Sequence, residues 1–141
     1  MKRILVLCTG NSTRSQMAHG YLQHFAGDKA EVLSAGVETH GLNPRAVVAM
    51  AEDGIDIRHH TSNHVDEYAQ LPVDNVITVC DSAAERCPAW IGKTNRLHQN
   101  FEDPSKVTAP DEASLRASYA RIRDQIKAFS ETFVRAYIAT V

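Results

Sequence analysis

Cys8 and Arg14 stand with five residues between them, Thr9-Gly10-Asn11-Ser12-Thr13, and Ser15 follows directly. A thiol becomes a nucleophile when it ionises, and a guanidinium offers a planar fork of donors that matches a tetrahedral oxyanion. Such chemistry needs backbone N–H groups aimed at one point, so the flanking elements matter. Before the cysteine runs Ile4-Leu5-Val6-Leu7, a short apolar run that predicts a buried strand of a parallel sheet. After the loop, Met17, Leu22 and Phe25 fall close to one face of a helix that Gly27 can stop. Cys8 therefore closes a strand, and the residues up to Arg14 turn the chain into a helix N-terminus. There, unpaired N–H groups and the positive end of the helix dipole gather.

A thiol in that position is expected to lose its proton easily. Gly10 and Asn11 tolerate the positive φ that a tight loop asks for. Asn11 is expected to hold the loop backbone, and Ser15 to hydrogen-bond the Cys8 thiolate. Ser12 and Thr13 read as loop and cap residues. The candidate site is thus Cys8 as nucleophile under an oxyanion cradle of Thr9, Gly10, Asn11, Ser12, Thr13, Arg14 and Ser15. The competing reading makes Cys8 a small buried residue and Arg14 a surface charge. The strand before the loop and the helix after it favour the site.

The 141 residues are enough for one domain, 1–141, to bury a core without disulfide staples. A net charge of −2 argues against nucleic acid or an anionic membrane as the main partner. No apolar run approaches the roughly 18 residues needed to span a bilayer, and the apolar run after Met1-Lys2-Arg3 is too short for a secretory signal. The expected compartment is the cytoplasm, where the three cysteines rest as thiols and any disulfide is catalytic rather than structural.

Further along, Glu31 to Ala35 reads as a second strand closed by Gly36. Asn43-Pro44 supplies an N-cap and a proline at the first helical position for a helix reaching Gly54. Residues 55–64 read as irregular, with a short helix around Val65 to Leu71. Asn75 to Val79 is the third strand, residues 81–86 loose helical turns, and Arg96-Leu97-His98 a weaker fourth strand. Leu115, Tyr119, Ile122, Ile126, Phe129 and Phe133 recur at steps of four and three, marking an amphipathic helix that Pro110-Asp111-Glu112 starts. Strands alternating with helices predict a parallel α/β sheet covered on both faces. Ligands of such sheets sit at the strands' carboxyl ends, where Cys8, Cys80 and the loop holding Asp103 all fall.

Asp103 is a candidate general acid, although Asp-Pro is also a common turn start. Cys80 and Cys87 read either as redox thiols or as one buried and one incidental surface cysteine. Six intervening residues are outside the usual close-pair spacing for zinc. His59, His60 and His64 lack a supporting carboxylate or cysteine and are read as loop residues, so no metal is assigned.

Cys8-x5-Arg14 is also the spacing of the phosphatase loop in cysteine-dependent phosphatases. Further segments are Arg14-Ser15-Gln16-Met17-Ala18, Ser34-Ala35-Gly36, Asn43-Pro44-Arg45-Ala46 and His60-Thr61-Ser62. Val79-Cys80, Cys87-Pro88 and Phe101-Glu102-Asp103-Pro104 complete the set. Through these the chain resembles arsenate reductases of the low-molecular-weight tyrosine-phosphatase superfamily from residue 3 to about residue 130.

The resemblance implies a four-stranded parallel sheet with helices on both faces, no cofactor, and arsenate as substrate with phosphate or sulfate as analogues. It implies that Cys8, Arg14 and Asp103 handle the oxyanion. It also implies that Cys80 and Cys87 carry electrons by successive disulfides, Cys8–Cys80 and then Cys80–Cys87, with thioredoxin or a similar dithiol as partner. Two other readings stay open: a low-molecular-weight phosphatase with dispensable Cys80 and Cys87, and an oxyanion-binding protein without turnover. Ser105 stands where the phosphatases usually carry tyrosine, and Val37 to Leu42 lacks their slot aromatic, which favours a small inorganic anion.

Some reductases of this type hold potassium through a glutamate and an aspartate, where this chain has His19 and Asn63. Replacing sodium by potassium is therefore expected to change melting temperature and activity little. A saturable, potassium-specific rise in melting temperature would contradict this.

Overall fold

The computed structural model describes residues 2–81, 83, 86 and 95–138. Four strands form one parallel sheet: β1 (Lys2–Cys8), β2 (Ala30–Gly36), β3 (Asn75–Thr78) and β4 (Asn95–His98), in the order β2-β1-β3-β4. Ile4, Leu5, Val6 and Leu7 are all fully buried. Successive side chains of a strand point to opposite faces, so both faces of the sheet centre are covered. That explains the unbroken apolar run, and each such side chain contributes about 1.5–3 kcal/mol by leaving water. β4 is an edge strand with exposed residues, which is why its pattern is weak.

Helix α1 (Arg14–Ala26) packs on β1 and β2, and α3 (Glu112–Tyr137) packs along α1 and α2 (Pro44–Glu52). Gly27 ends α1 with φ 58°, a left-handed conformation open to glycine. Asn43 caps α2 by accepting from the Arg45 amide at 2.9 Å, ahead of Pro44. Asp111 caps α3 by accepting from the Ser114 amide at 2.7 Å. The apolar stripe of α3 buries Tyr119, Ile122, Ile126 and Phe133 as its period required.

The expected helix from Val65 to Leu71 is only a 3-10 turn, Val65–Tyr68. A reciprocal cap of His64 and Glu67 starts it, and it ends within one turn. The third strand ends at Thr78 rather than Val79, although the Val79 amide still donates to Leu7 O at 2.9 Å. Of the turns expected over 81–86, Asp81, Ala83 and Arg86 alone are described. Cys87 and Pro88 lie outside the described residues.

The histidine-rich stretch docks on α1. His19 Nδ1 lies 2.9 Å from Ser34 Oγ, and its ring stacks on His60 with centroids 4.2 Å apart. His60 Nδ1 donates to Gln16 Oε1 at 3.0 Å. Burial, then the nearby His60 and His59, pull His19 down to about 3. Burial, then His59, takes His60 down to about 4. Both rings are thus neutral when folded, whereas the unfolded chain protonates them near pH 6.5. The unfolded state binds the extra protons, so stability falls as pH drops below about 6.5 and keeps falling toward pH 4, by roughly 1.4 kcal/mol per histidine and pH unit at most. Chemical denaturation at pH 7 and pH 4.5 should show a shallower loss in His19→Gln than in the wild type. Equal losses would refute the neutral stack.

Candidate active site

The loop between β1 and α1 owes its shape to a second loop that lies behind it. Cys8 O, Thr9 O, Gly10 O and Ser12 O accept from the amides of Val37, Glu38, His40 and Asn43 at 3.3, 2.8, 2.9 and 3.1 Å. With its carbonyls tied outward, the loop turns its own N–H groups toward the pocket, which is the geometry an oxyanion needs. Gly36 makes the close approach possible: a Cβ there would lie 2.7 Å from Thr9 O and 2.8 Å from Asn11 N.

Asn11 holds the crest with φ 49° and is fully buried. Its Oδ1 accepts from the Asn63 amide at 2.8 Å, and its Nδ2 donates to Ser15 Oγ at 2.9 Å. Gln16 Nε2 donates to Asn11 O and Thr61 O, both at 3.0 Å. These bonds offset the strain of a left-handed non-glycine residue. Ser15, expected against the Cys8 sulfur, is buried with Asn11 as its partner. Thr13 Oγ1 accepts from Asn43 Nδ2 at 2.9 Å, and the same amide reaches Tyr119 OH at 3.0 Å. Asn43 thus caps α2 with one atom and braces the loop with another.

Cys8, Arg14 and Asp103 line one pocket of about 230 Å³ together with Thr9, Gly10 and Ser12. Arg14 Nη1 donates to Phe101 O at 2.9 Å, and its Nη2 stands 3.6 Å from Asp103 Oδ2. Asp103 Oδ1 accepts from the amide and hydroxyl of Ser105 at 3.0 and 2.7 Å. The acid and turn readings of Asp103 therefore coexist: one oxygen starts the 3-10 turn Pro104–Lys106 and the other faces Arg14.

Cys80 lies beside Cys8 at the same rim, and its sulfur is 3.2 Å from Thr9 Oγ1. Both cysteines are free and buried. The two thiols interact, which changes the expected picture of a lone ionised Cys8: the neighbouring Cys80 and burial push the Cys8 thiol up despite Arg14. The neighbouring Cys8, with Thr9 Oγ1, the Ala83 amide and Arg14, draws Cys80 down to about 5 against burial. The pair gives up its first proton easily and its second with difficulty, because a second buried negative charge would face the first. The pair thus carries one negative charge that belongs to both sulfurs together.

Residue types alone did not single out His40 and Lys106, nor the bracing of the loop by Gln16 and by the cap residue Asn43. Gln16 was signalled as a polar residue among the buried positions of α1, and Lys106 by lying three residues after Asp103. His19 and Asn63 offer no anionic oxygen to a cation. The first bonds Ser34 as a neutral ring, and Asn63 Oδ1 accepts from Thr61 Oγ1 at 2.7 Å. Among the described residues no group of three His, Cys, Asp or Glu side chains is placed to hold a metal.

Ultraviolet absorbance of thiolate should show one step near pH 5 in the wild type. In Cys8→Ala that step should rise by about one unit or more, because Cys80 loses the neighbouring thiol that lowers it most. An unshifted step would mean that the sulfurs do not share a proton.

The chain matches the family described as low molecular weight phosphotyrosine protein phosphatase over residues 3–139. An arsenate reductase of Halalkalibacterium halodurans is 47% identical over 135 residues, which are 93% of this chain and 96% of that protein. An arsenate reductase of Bacillus subtilis is 45% identical over the same shares. A solved arsenate reductase in the phosphate binding state superposes with a TM-score of 0.80 at 31% identity, covering 96% of this chain and 98% of the other. An arginine phosphatase of Geobacillus stearothermophilus, at 24% identity and a TM-score of 0.76 over 96% and 92% of the two chains, shares the fold. With a family match along almost its whole length, the chain belongs to the low molecular weight phosphotyrosine protein phosphatase family.

Proposed function

We propose that the chain reduces arsenate to arsenite, using Cys8, Cys80 and Cys87 in turn, and that a dithiol protein of the thioredoxin kind restores it in the cytoplasm. The observation that carries this reading is the second cysteine at the cradle: Cys80 is free and buried like Cys8, and its sulfur lies 3.2 Å from Thr9 Oγ1. A phosphatase needs one nucleophilic sulfur and a water molecule, and a second thiol beside the loop is redundant for it. Relatives at 45–47% identity that are arsenate reductases support the same choice. No described helix is long and apolar enough to cross a membrane.

The steps balance as follows. The Cys8 thiolate attacks arsenic while the amides of Thr9 to Ser15 and the Arg14 guanidinium hold the other oxygens. An arsenic–oxygen bond breaks, and that oxygen leaves as water with a proton from Asp103. Cys80, passing its proton to a departing arsenite oxygen, then attacks the Cys8 sulfur, forming Cys8–Cys80. The arsenic–sulfur electron pair stays on arsenic, which falls from the +5 to the +3 state and leaves as arsenite. Cys87 attacks the Cys80 sulfur, forming Cys80–Cys87 and releasing the Cys8 thiolate. That exchange requires the two α carbons to come within about 7 Å. An external dithiol reduces the final disulfide.

Arsenate-dependent oxidation of a thioredoxin system, run beside hydrolysis of an aryl phosphate, tests the proposal. Cys8→Ser should lose both activities. Cys80→Ser should release no arsenite even in one turnover, yet keep any aryl phosphate hydrolysis. Cys87→Ser should complete one turnover and accumulate Cys8–Cys80, seen by mass spectrometry of alkylated peptides. Sustained arsenate turnover by Cys87→Ser with thioredoxin would refute the three-cysteine relay.

A further inference from the structure

Three basic side chains line the pocket over Cys8: Arg14, His40 and Lys106. Two of them face an acid. Arg14 stands 3.6 Å from Asp103, and His40 Nε2 lies 2.9 Å from Glu38 Oε1. Glu38 is further tied to Arg86 Nη1 at 2.8 Å. Lys106 is exposed and, among the described residues, has no carboxylate within ion-pair reach. Its place is set by the turn that carries the acid: Ser105 bonds Asp103 Oδ1, and the Lys106 amide donates to Asp103 O at 3.1 Å. Lys106 and Asp103 therefore reach the pocket as one unit.

At this mouth Arg14 is partnered by Asp103 and His40 by Glu38, which leaves Lys106 as the pocket-lining cation with no acid facing it among the described residues. A tetrahedral dianion entering such a site meets the inward amides and one uncompensated cation. We infer that Lys106 draws the substrate into the cradle and gives the pocket its preference for doubly over singly charged tetrahedral oxyanions. This deepens the arsenate reading and rests on it. An exposed charge acts through the field at the mouth rather than through a fixed bond, so its effect belongs to capture and fades with salt. It does not touch the reacting atoms, so turnover at saturation should be insensitive to it.

The test uses Lys106→Met and Lys106→Arg in the full chain. At low salt, Lys106→Met should raise the KM for arsenate about ten-fold with kcat within about two-fold of the wild type, and Lys106→Arg should stay close to the wild type. Raising ionic strength to about 0.5 M should close the gap. A second measurement needs no turnover: protection of Cys8 and Cys80 from alkylation by sulfate, a dianion, and by perchlorate, a monoanion of the same shape. Lys106→Met should weaken protection by sulfate about ten-fold and by perchlorate only about three-fold, since Coulomb energy scales with the charge of the anion. An unchanged KM, a rise that persists at high salt, or equal losses for the two anions would overturn the role of Lys106. If sulfate and phosphate fail to protect the wild-type cysteines, the oxyanion reading itself falls, and the inference with it.

Discussion

The site depends on the four bonds by which Val37, Glu38, His40 and Asn43 hold the carbonyls of Cys8, Thr9, Gly10 and Ser12. A backbone carbonyl aimed into the pocket would repel an oxyanion, and one left buried without a donor would be strongly disfavoured. Turning all four outward satisfies them and orients the amides inward in a single arrangement. The cradle is thus built in the resting fold, so little reorganisation remains when charge enters it.

The packing that supports this arrangement reaches far from the loop. Parallel registers align Cys8 with Gly36, which brings the second loop directly behind the first. The lack of a side chain on Gly36 then allows backbone to pass backbone. Gln16 and Asn63 secure Asn11 from α1 and from the 55–64 stretch, and His60 in turn holds Gln16. Asn43 ties the loop to the N-terminus of α2 and to Tyr119 of α3. Gln16 of α1 and the cap residue of α2 therefore bond the loop directly, and Tyr119 of α3 supports it through Asn43.

The same sheet sets the redox geometry. β1 and β3 are neighbours, so the residues that follow their carboxyl ends meet, and Cys80 comes to rest against Cys8. Two sulfurs that share one proton keep a thiolate available at neutral pH without placing two charges in a buried site. Arg14 and Thr9 stabilise negative charge on either sulfur, and the Ala83 amide stabilises it on Cys80.

Much of this was legible in the residues. The apolar run before Cys8, the caps at Asn43 and Asp111 and the α3 stripe each report a local preference, so the parallel sheet, its helices and the Cys8 loop followed from short-range physics. The rim shared by Cys8, Cys80 and Asp103 followed from where parallel strands end. Local signals were weakest where tertiary packing decides. The helix expected to reach Leu71 is only a turn, and Pro72 directly after Leu71 disfavours helical backbone there. The coupling of Cys8 to Cys80 was not visible in its loop alone, since it joins residues 72 positions apart. Gln16, His40, Asn43 and Lys106 carry ordinary side chains whose meaning lies in what they face. The sequence by itself determined where the strands and the main helices form, and that Cys8 and Arg14 flank one loop between a strand and a helix. The tertiary structure alone decided which side chains meet at that loop, because contacts such as Arg14 with Asp103 and Thr9 with Cys80 depend on distances between residues the chain separates.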